Sequence, residues 1–176
     1  AEGKTGESLE RLNELIQIHP TSREVNLLHG QILYATGSML NRARAKTVLM
    51  DLLGRTDTTS FKAAGLLVVM PELPLFEADL ERVVDHLSGH PFLEAGLQQL
   101  QAGDLRRMAV RIADHDPAVA LRLAAPLMDR EAPTPEDRVL YLSLAQAAGQ
   151  WEEVEPTVQS LQKASERTAS ETLVLV

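Results

Sequence analysis

Apolar residues recur three or four positions apart along almost the whole chain, and a Gly or Pro interrupts them after every few turns. That spacing is the signature of short amphipathic helices buried along one side. Leu9, Leu12, Leu15 and Ile16 form a first stripe, ended by Pro20. Ser22 caps a second helix with Val25, Leu28, Ile32 and Ala35 inward, stopped by Gly37. Leu40 to Leu53 is the third, with Ala43, Leu49, Leu52 and Leu53 inward, closed by Gly54. Thr56 to Ser60 opens a fourth, which runs to Met70. Pro71 and Pro74 force a loop, because each breaks helix and strand alike. Further helices are expected over Phe76–Leu87, Pro91–Ala102, Asp104–Asp114, Pro117–Arg130, Pro135–Ala148 and Trp151–Ala164. Aromatics make up only 3% of the residues, and Leu and Ala recur throughout. The expected fold class is all-α. No connection is long enough to divide the chain, so residues 1–176 read as a single array with an irregular stretch over 71–103.

The charge balance narrows the partners. A net charge of −8 argues against a duplex-binding surface, which needs cations to neutralise phosphates, so nucleic acid is not expected. The chain has no Cys, hence no disulfide or thiolate chemistry. Its longest apolar run, Ala63 to Met70, is far below the ~20 residues that span a bilayer, so no membrane insertion is expected. Ala1 to Gly6 is polar and does not resemble a signal peptide. The expected setting is a bacterial cytoplasm or periplasm, on the compositional hint of abundant Ala, Leu and Arg.

One segment carries a family likeness. In Ala147-Ala148-Gly149-Gln150-Trp151-Glu152-Glu153-Val154 a Gly ends one helix, an aromatic follows, and two acids open the next. The order suits a left-handed cap followed by a helix N-terminus that favours negative charge. It resembles the inter-helix turn of a tetratricopeptide repeat. His115-Asp116-Pro117-Ala118-Val119-Ala120 lies 34 residues earlier, the length of that repeat. Gly30 and Gly37, with Pro20 before them and Ala43 after, resemble the mid-helix and turn positions of another copy. The likeness covers Glu7 to Met70 and Asp104 to the C-terminus. It implies a right-handed α-α superhelix of antiparallel hairpins whose A helices line a concave wall. It also implies a protein or peptide partner on Arg23, Asn26, Gln31, Arg107, Arg111, Arg138 and Gln146. Leu27, Gln31, Val139 and Ser143 stand where some such domains carry a Lys and Asn clamp for chaperone tails, so that ligand is not implied.

Other candidates read as structural. His86 and His90, four apart, could share a helix face as two metal ligands would, but no acid stands between them in a zinc-protease pattern and Gly89 ends the helix. Asp114-His115-Asp116 falls in a turn. The basic clusters Arg42/Arg44/Lys46 and Arg106/Arg107/Arg111 read as solvated faces, as do the acids Glu72, Glu77, Asp79, Glu81 and Asp85. Trp151 reads as a packing residue. With no triad, metal cluster or phosphate loop, neither catalysis nor a cofactor is expected. The expected function is a scaffold or adaptor segment; the alternative is a structural arm of a multidomain enzyme or of a bacterial envelope or export assembly. Pro126 and Pro156 are expected to kink their helices. The phase of the stripes, and the apolar ending Leu173-Val174-Leu175-Val176, lead to the expectation of a segment from a longer solenoid that can self-associate end to end.

Overall fold

A computed structural model describes residues 2–70, 72, 73, 75–91, 93–98, 100–130, 133–152, 154, 155, 158 and 159. The described residues are all-helical, without a strand. In chain order the helices are α1 (Glu2–Ile18), α2 (Arg23–Ala35), α3 (Met39–Asp51), α4 (Thr58–Val69), α5 (Glu77–Ser88), α6 (Leu93–Leu97), α7 (Ala102–Ile112), α8 (Pro117–Met128) and α9 (Pro135–Ala148). A 3-10 turn, Leu52–Gly54, extends α3. The chain divides into two compact units, Ala1–Gly96 and Leu97–Val176, with the division inside α6.

The boundaries follow local chemistry. Ser22, Ser38, Asp57, Asp116 and Thr134 each precede a helix and accept a hydrogen bond from a backbone N–H of its first turn. Pro117 and Pro135 open α8 and α9, where a missing N–H costs nothing. Gly149 closes α9 at φ 69, with its own N–H donating to Gln146 O and that of Gln150 to Ala145 O. That left-handed cap satisfies two carbonyls the helix would leave orphaned, as the turn sequence suggested. Gly37 closes α2 in the same way at φ 76.

Several expectations are corrected. α1 extends back to Glu2, seven residues before the first residue of its apolar stripe. The sixth helix is only Leu93–Leu97, not Pro91–Ala102, and Gly103 lies inside α7 instead of before it. The inward face of α2 is Gly30 and Leu33; Leu28 is 43% exposed and Ala35 also faces solvent. In α3, Ala45 rather than Ala43 is fully buried. Pro126 lies in the last turn of α8, two residues before its end. Pro71, Pro74, Pro156 and the apolar C-terminus lie outside the described residues; of the expected tenth helix, residues 151, 152, 154, 155, 158 and 159 are helical.

In the first unit, successive helices from α1 to α5 pack on one another, and α2 also reaches α4. Gly30 permits a close crossing of α2 and α3, since a Cβ there would fall 2.8 Å from the Leu49 side chain. α4 buries Phe61, Ala63, Ala64, Leu67 and Val68, more than a one-sided stripe, because α2, α3 and α5 all pack against it. At the edge the covering is thinner: α1 buries Leu12 but leaves Leu15 and Ile18 exposed. In the second unit α8 is held between α7 and α9 and buries Val119, Ala120, Leu121, Leu123, Ala124 and Leu127. Each fully buried Leu contributes roughly 1.5–3 kcal/mol.

Candidate functional site

Some of the charged side chains read as solvated faces join helices instead, while Arg44, Glu77, Glu81, Asp85 and Arg107 are exposed as expected. In the first unit Arg23 of α2 reaches the N-cap of α4: its Nη2 donates to Leu52 O at 2.7 Å and to Asp57 Oδ1 at 3.2 Å. Its Nε lies 2.8 Å from Asp57 Oδ2 as an ion contact, off the hydrogen-bond line. Lys46 of α3 donates to Asp79 Oδ2 at 2.8 Å, and Asp79 in turn accepts the Phe76 N–H at the start of α5. Arg42 pairs with Glu72 and lies over the Tyr34 ring. In the second unit Arg106 of α7 grips Asp137 in the first turn of α9 with two bonds, Nε to Oδ1 at 2.5 Å and Nη2 to Oδ2 at 2.9 Å. Arg106, Lys46 and Arg42 were read as solvated cations, and Glu72 and Asp79 as solubilising acids; all five instead join separate elements. The signal that could have found them is opposite charge at separations of 30 to 34 residues, such as Arg23 with Asp57 at 34 and Arg106 with Asp137 at 31.

The environments tune the acids differently. The Arg106 bond is the largest influence on Asp137 and, with the Thr134 hydroxyl and N–H, outweighs burial to hold its pKa at about 2. The same bond raises Arg106. Lys46 is the main cause of the lowered Asp79 pKa. At Asp57 burial pushes upward, but the Ser60 N–H and Arg23 together overcome it and the pKa is lowered.

The two histidines of the metal motif sit beside this first clip. Their rings meet edge to face at 4.9 Å, and the Phe61 ring lies 5.5 Å from His90. His90 Nε2 is 3.1 Å from Ser60 Oγ, which also lies 2.8 Å from Asp57 O and donates to it. Ser60 is fully buried, which leaves this hydroxyl–imidazole pair no approach for a substrate. Among the described residues no group of three His, Cys, Asp or Glu is arranged to hold a metal. Burial is the first cause that lowers both histidines, and at His86 the neighbouring His90 adds to it.

Two open clefts lie in the first unit. One, of about 300 Å³, is lined by Arg23 and Asn26 of the expected partner set together with Thr21, Asp51 and Arg55. The other, of about 560 Å³, runs across α1, α2 and α3 and is lined by Asn13, His29, Asn41, Arg44 and Thr47, with Leu33 and Val48 as its apolar floor. None of these second-cleft residues except Arg44 was singled out from the sequence, because they become neighbours only when three helices pack. Of the expected partner residues, Arg23 is largely buried in its clip and Asn26 donates to Pro20 O. Gln31 is exposed. In the second unit Arg107 is exposed and pairs with Asp104, Arg111 is half-buried, Arg138 donates to Pro133 O, and Gln146 is exposed. Trp151, read as a packing residue, is 43% exposed.

No family model, curated protein or solved structure matches this chain. Among the described residues no helix is long and apolar enough to cross a membrane.

Proposed function

We propose that this chain is a tetratricopeptide-like scaffold segment, a right-handed stack of helix hairpins that binds a protein or peptide partner and performs no chemistry of its own. The observation that carries the reading is the recurring clip from a cation on one helix to the N-terminal acid of the second helix along. It joins α2 to α4, α3 to α5 and α7 to α9 at separations of 34, 33 and 31 residues. Three such steps, each near a 34-residue period, support a stack of hairpins of about tetratricopeptide length. Binding follows from what such stacks present to solvent. Gln31, Arg107 and Gln146 are exposed, and α2 contributes residues to two open clefts, which leaves surface for a partner.

The test is capture with the intact chain as bait, followed by cross-linking and mass spectrometry. A saturable partner cross-linked to residues on α2, α7 or α9 is the expected outcome. A partner that maps only to other surfaces, or turnover of a small-molecule substrate by the chain alone, overturns the reading.

A further inference from the structure

We infer that the cleft across α1, α2 and α3 is a subsite for an acidic side chain of an extended polypeptide, with Arg44 as its cation. The inference deepens the scaffold reading and rests on it.

Three observations lead there. First, three of the cleft's donor side chains are uncommitted. Asn13, His29 and Arg44 have no hydrogen-bond or ion-pair partner among the described residues, whereas Arg23, Arg42 and Lys46 on the same two helices are all engaged with acids. Asn41 spends its Nδ2 on Thr36 Oγ1 and Thr47 its hydroxyl proton on Ala43 O, so both still offer oxygen lone pairs to the cleft.

Second, no Asp or Glu lines the cleft, although the chain carries a net charge of −8. An arginine beside neutral donors, with no carboxylate to quench it, selects an anion. A guanidinium matches a carboxylate with two parallel N–H bonds.

Third, the charge is small and the lining suits a peptide. Burial lowers the His29 pKa and favours its neutral ring, so Arg44 is the single formal charge of the lining. One cation balances a carboxylate but only half of a phosphate dianion. The Asn13 amide presents a carbonyl oxygen and an NH2 group, the complement of a peptide group, and the Asn41 carbonyl oxygen adds an acceptor, in a lining that also holds Leu33 and Val48. The cleft volume, about 560 Å³, falls within the range of ~300–1,000 Å³ found for ligand sites.

The experiment is a side-chain NMR titration of the full chain. The probe is a Ser/Ala octapeptide with two central Glu residues, run beside its twin with Gln at those positions, and beside glutarate and inorganic phosphate. The Glu peptide is expected to shift the Asn13 and Asn41 side-chain amides and the His29 ring, with the Gln twin at least tenfold weaker. R44Q is expected to weaken the Glu peptide at least tenfold. Arg44 is exposed and bonds to nothing in the fold, so the variant keeps its structure; N13A, also at an exposed position, supplies an independent loss of a few-fold. Unshifted cleft resonances at millimolar peptide overturn the proposal, as does an R44Q affinity equal to that of the parent. Phosphate or glutarate that saturates the same resonances as tightly as the peptide overturns the polypeptide assignment. If these fail while captured partners still cross-link to α2, α7 or α9, the subsite falls and the scaffold reading stands; if capture fails too, both fall.

Discussion

The clip of the first unit and that of the second perform one task in two dielectric settings. Each ties a helix to the N-terminal acid of the second helix along. Asp57 is the N-cap itself, with its side chain 41% exposed. Asp137 stands three residues into the helix, its side chain only 2% exposed, with Arg106 gripping both oxygens. Water screens the first pair and is excluded from the acid of the second. One sequence device therefore carries different energetic weight according to how deeply the acid is set. Removing a partner matters far more where the remaining charge is buried.

The largest expected effect comes from breaking the deeper clip. Arg106→Ala strands the Asp137 carboxylate and is expected to cost about 3 kcal/mol, the low end for a broken buried pair because Arg106 itself is partly hydrated. Urea unfolding, with hydrogen exchange reporting α7 and α9 separately, measures it. A loss under ~1 kcal/mol would place this pair with ordinary surface bridges.

Acid titration sharpens the same contrast. The Asp137 pKa is lowered from 3.8 to about 2 in the fold. Its stabilisation is therefore fully present above the unfolded value and is lost as pH falls through the folded one. That window amounts to about 2 kcal/mol between roughly pH 4 and pH 2. Asp137→Asn is expected to flatten this acid limb in α7–α9, while Asp57→Asn leaves the limb unchanged.

At the first clip the cap should outweigh the charge. Asp57→Ala is expected to cost about 1 kcal/mol through the lost bond to Ser60 N, whereas Asp57→Asn, which preserves a capping oxygen, costs a few tenths. Equal losses in thermal unfolding would mean that the Arg23 pair dominates.

The smallest effect separates the units by pH alone. His86 and His90 are both lowered by burial, so their folded forms disfavour protonation; Arg23 and His90 reinforce this at His86, and Asp57 opposes it at both. The sign is that stability is retained above the unfolded pKa of 6.5 and declines as pH falls below it. Amide protection in α4 and α5 is expected to drop between pH 7 and pH 5.5 while α7 to α9 holds. A uniform response across both units would show that the histidine pair does not set the difference.

What the sequence determined by itself was the local grammar. Ser22 before α2, Pro117 and Pro135 at helix starts, and Gly37 and Gly149 at left-handed stops each act within a few residues, so their effect is readable without knowing the fold. The all-helical class follows from the same short-range information. Tertiary packing decided which face of each helix is inside. Val25, Leu28, Ile32 and Ala35 make a sound helical stripe, yet α2 buries Gly30 and Leu33, because α3 crosses closely at the position without a side chain. The fate of the charges was decided there as well. Lys46 and Arg106 read as surface residues until helices about thirty residues away bring Asp79 and Asp137 to them, and Arg44 stays exposed because the same packing brings it no acid. Periodicity reports that a helix has a buried side; its azimuth, and the pairing of its charges, depend on neighbours that no local window contains.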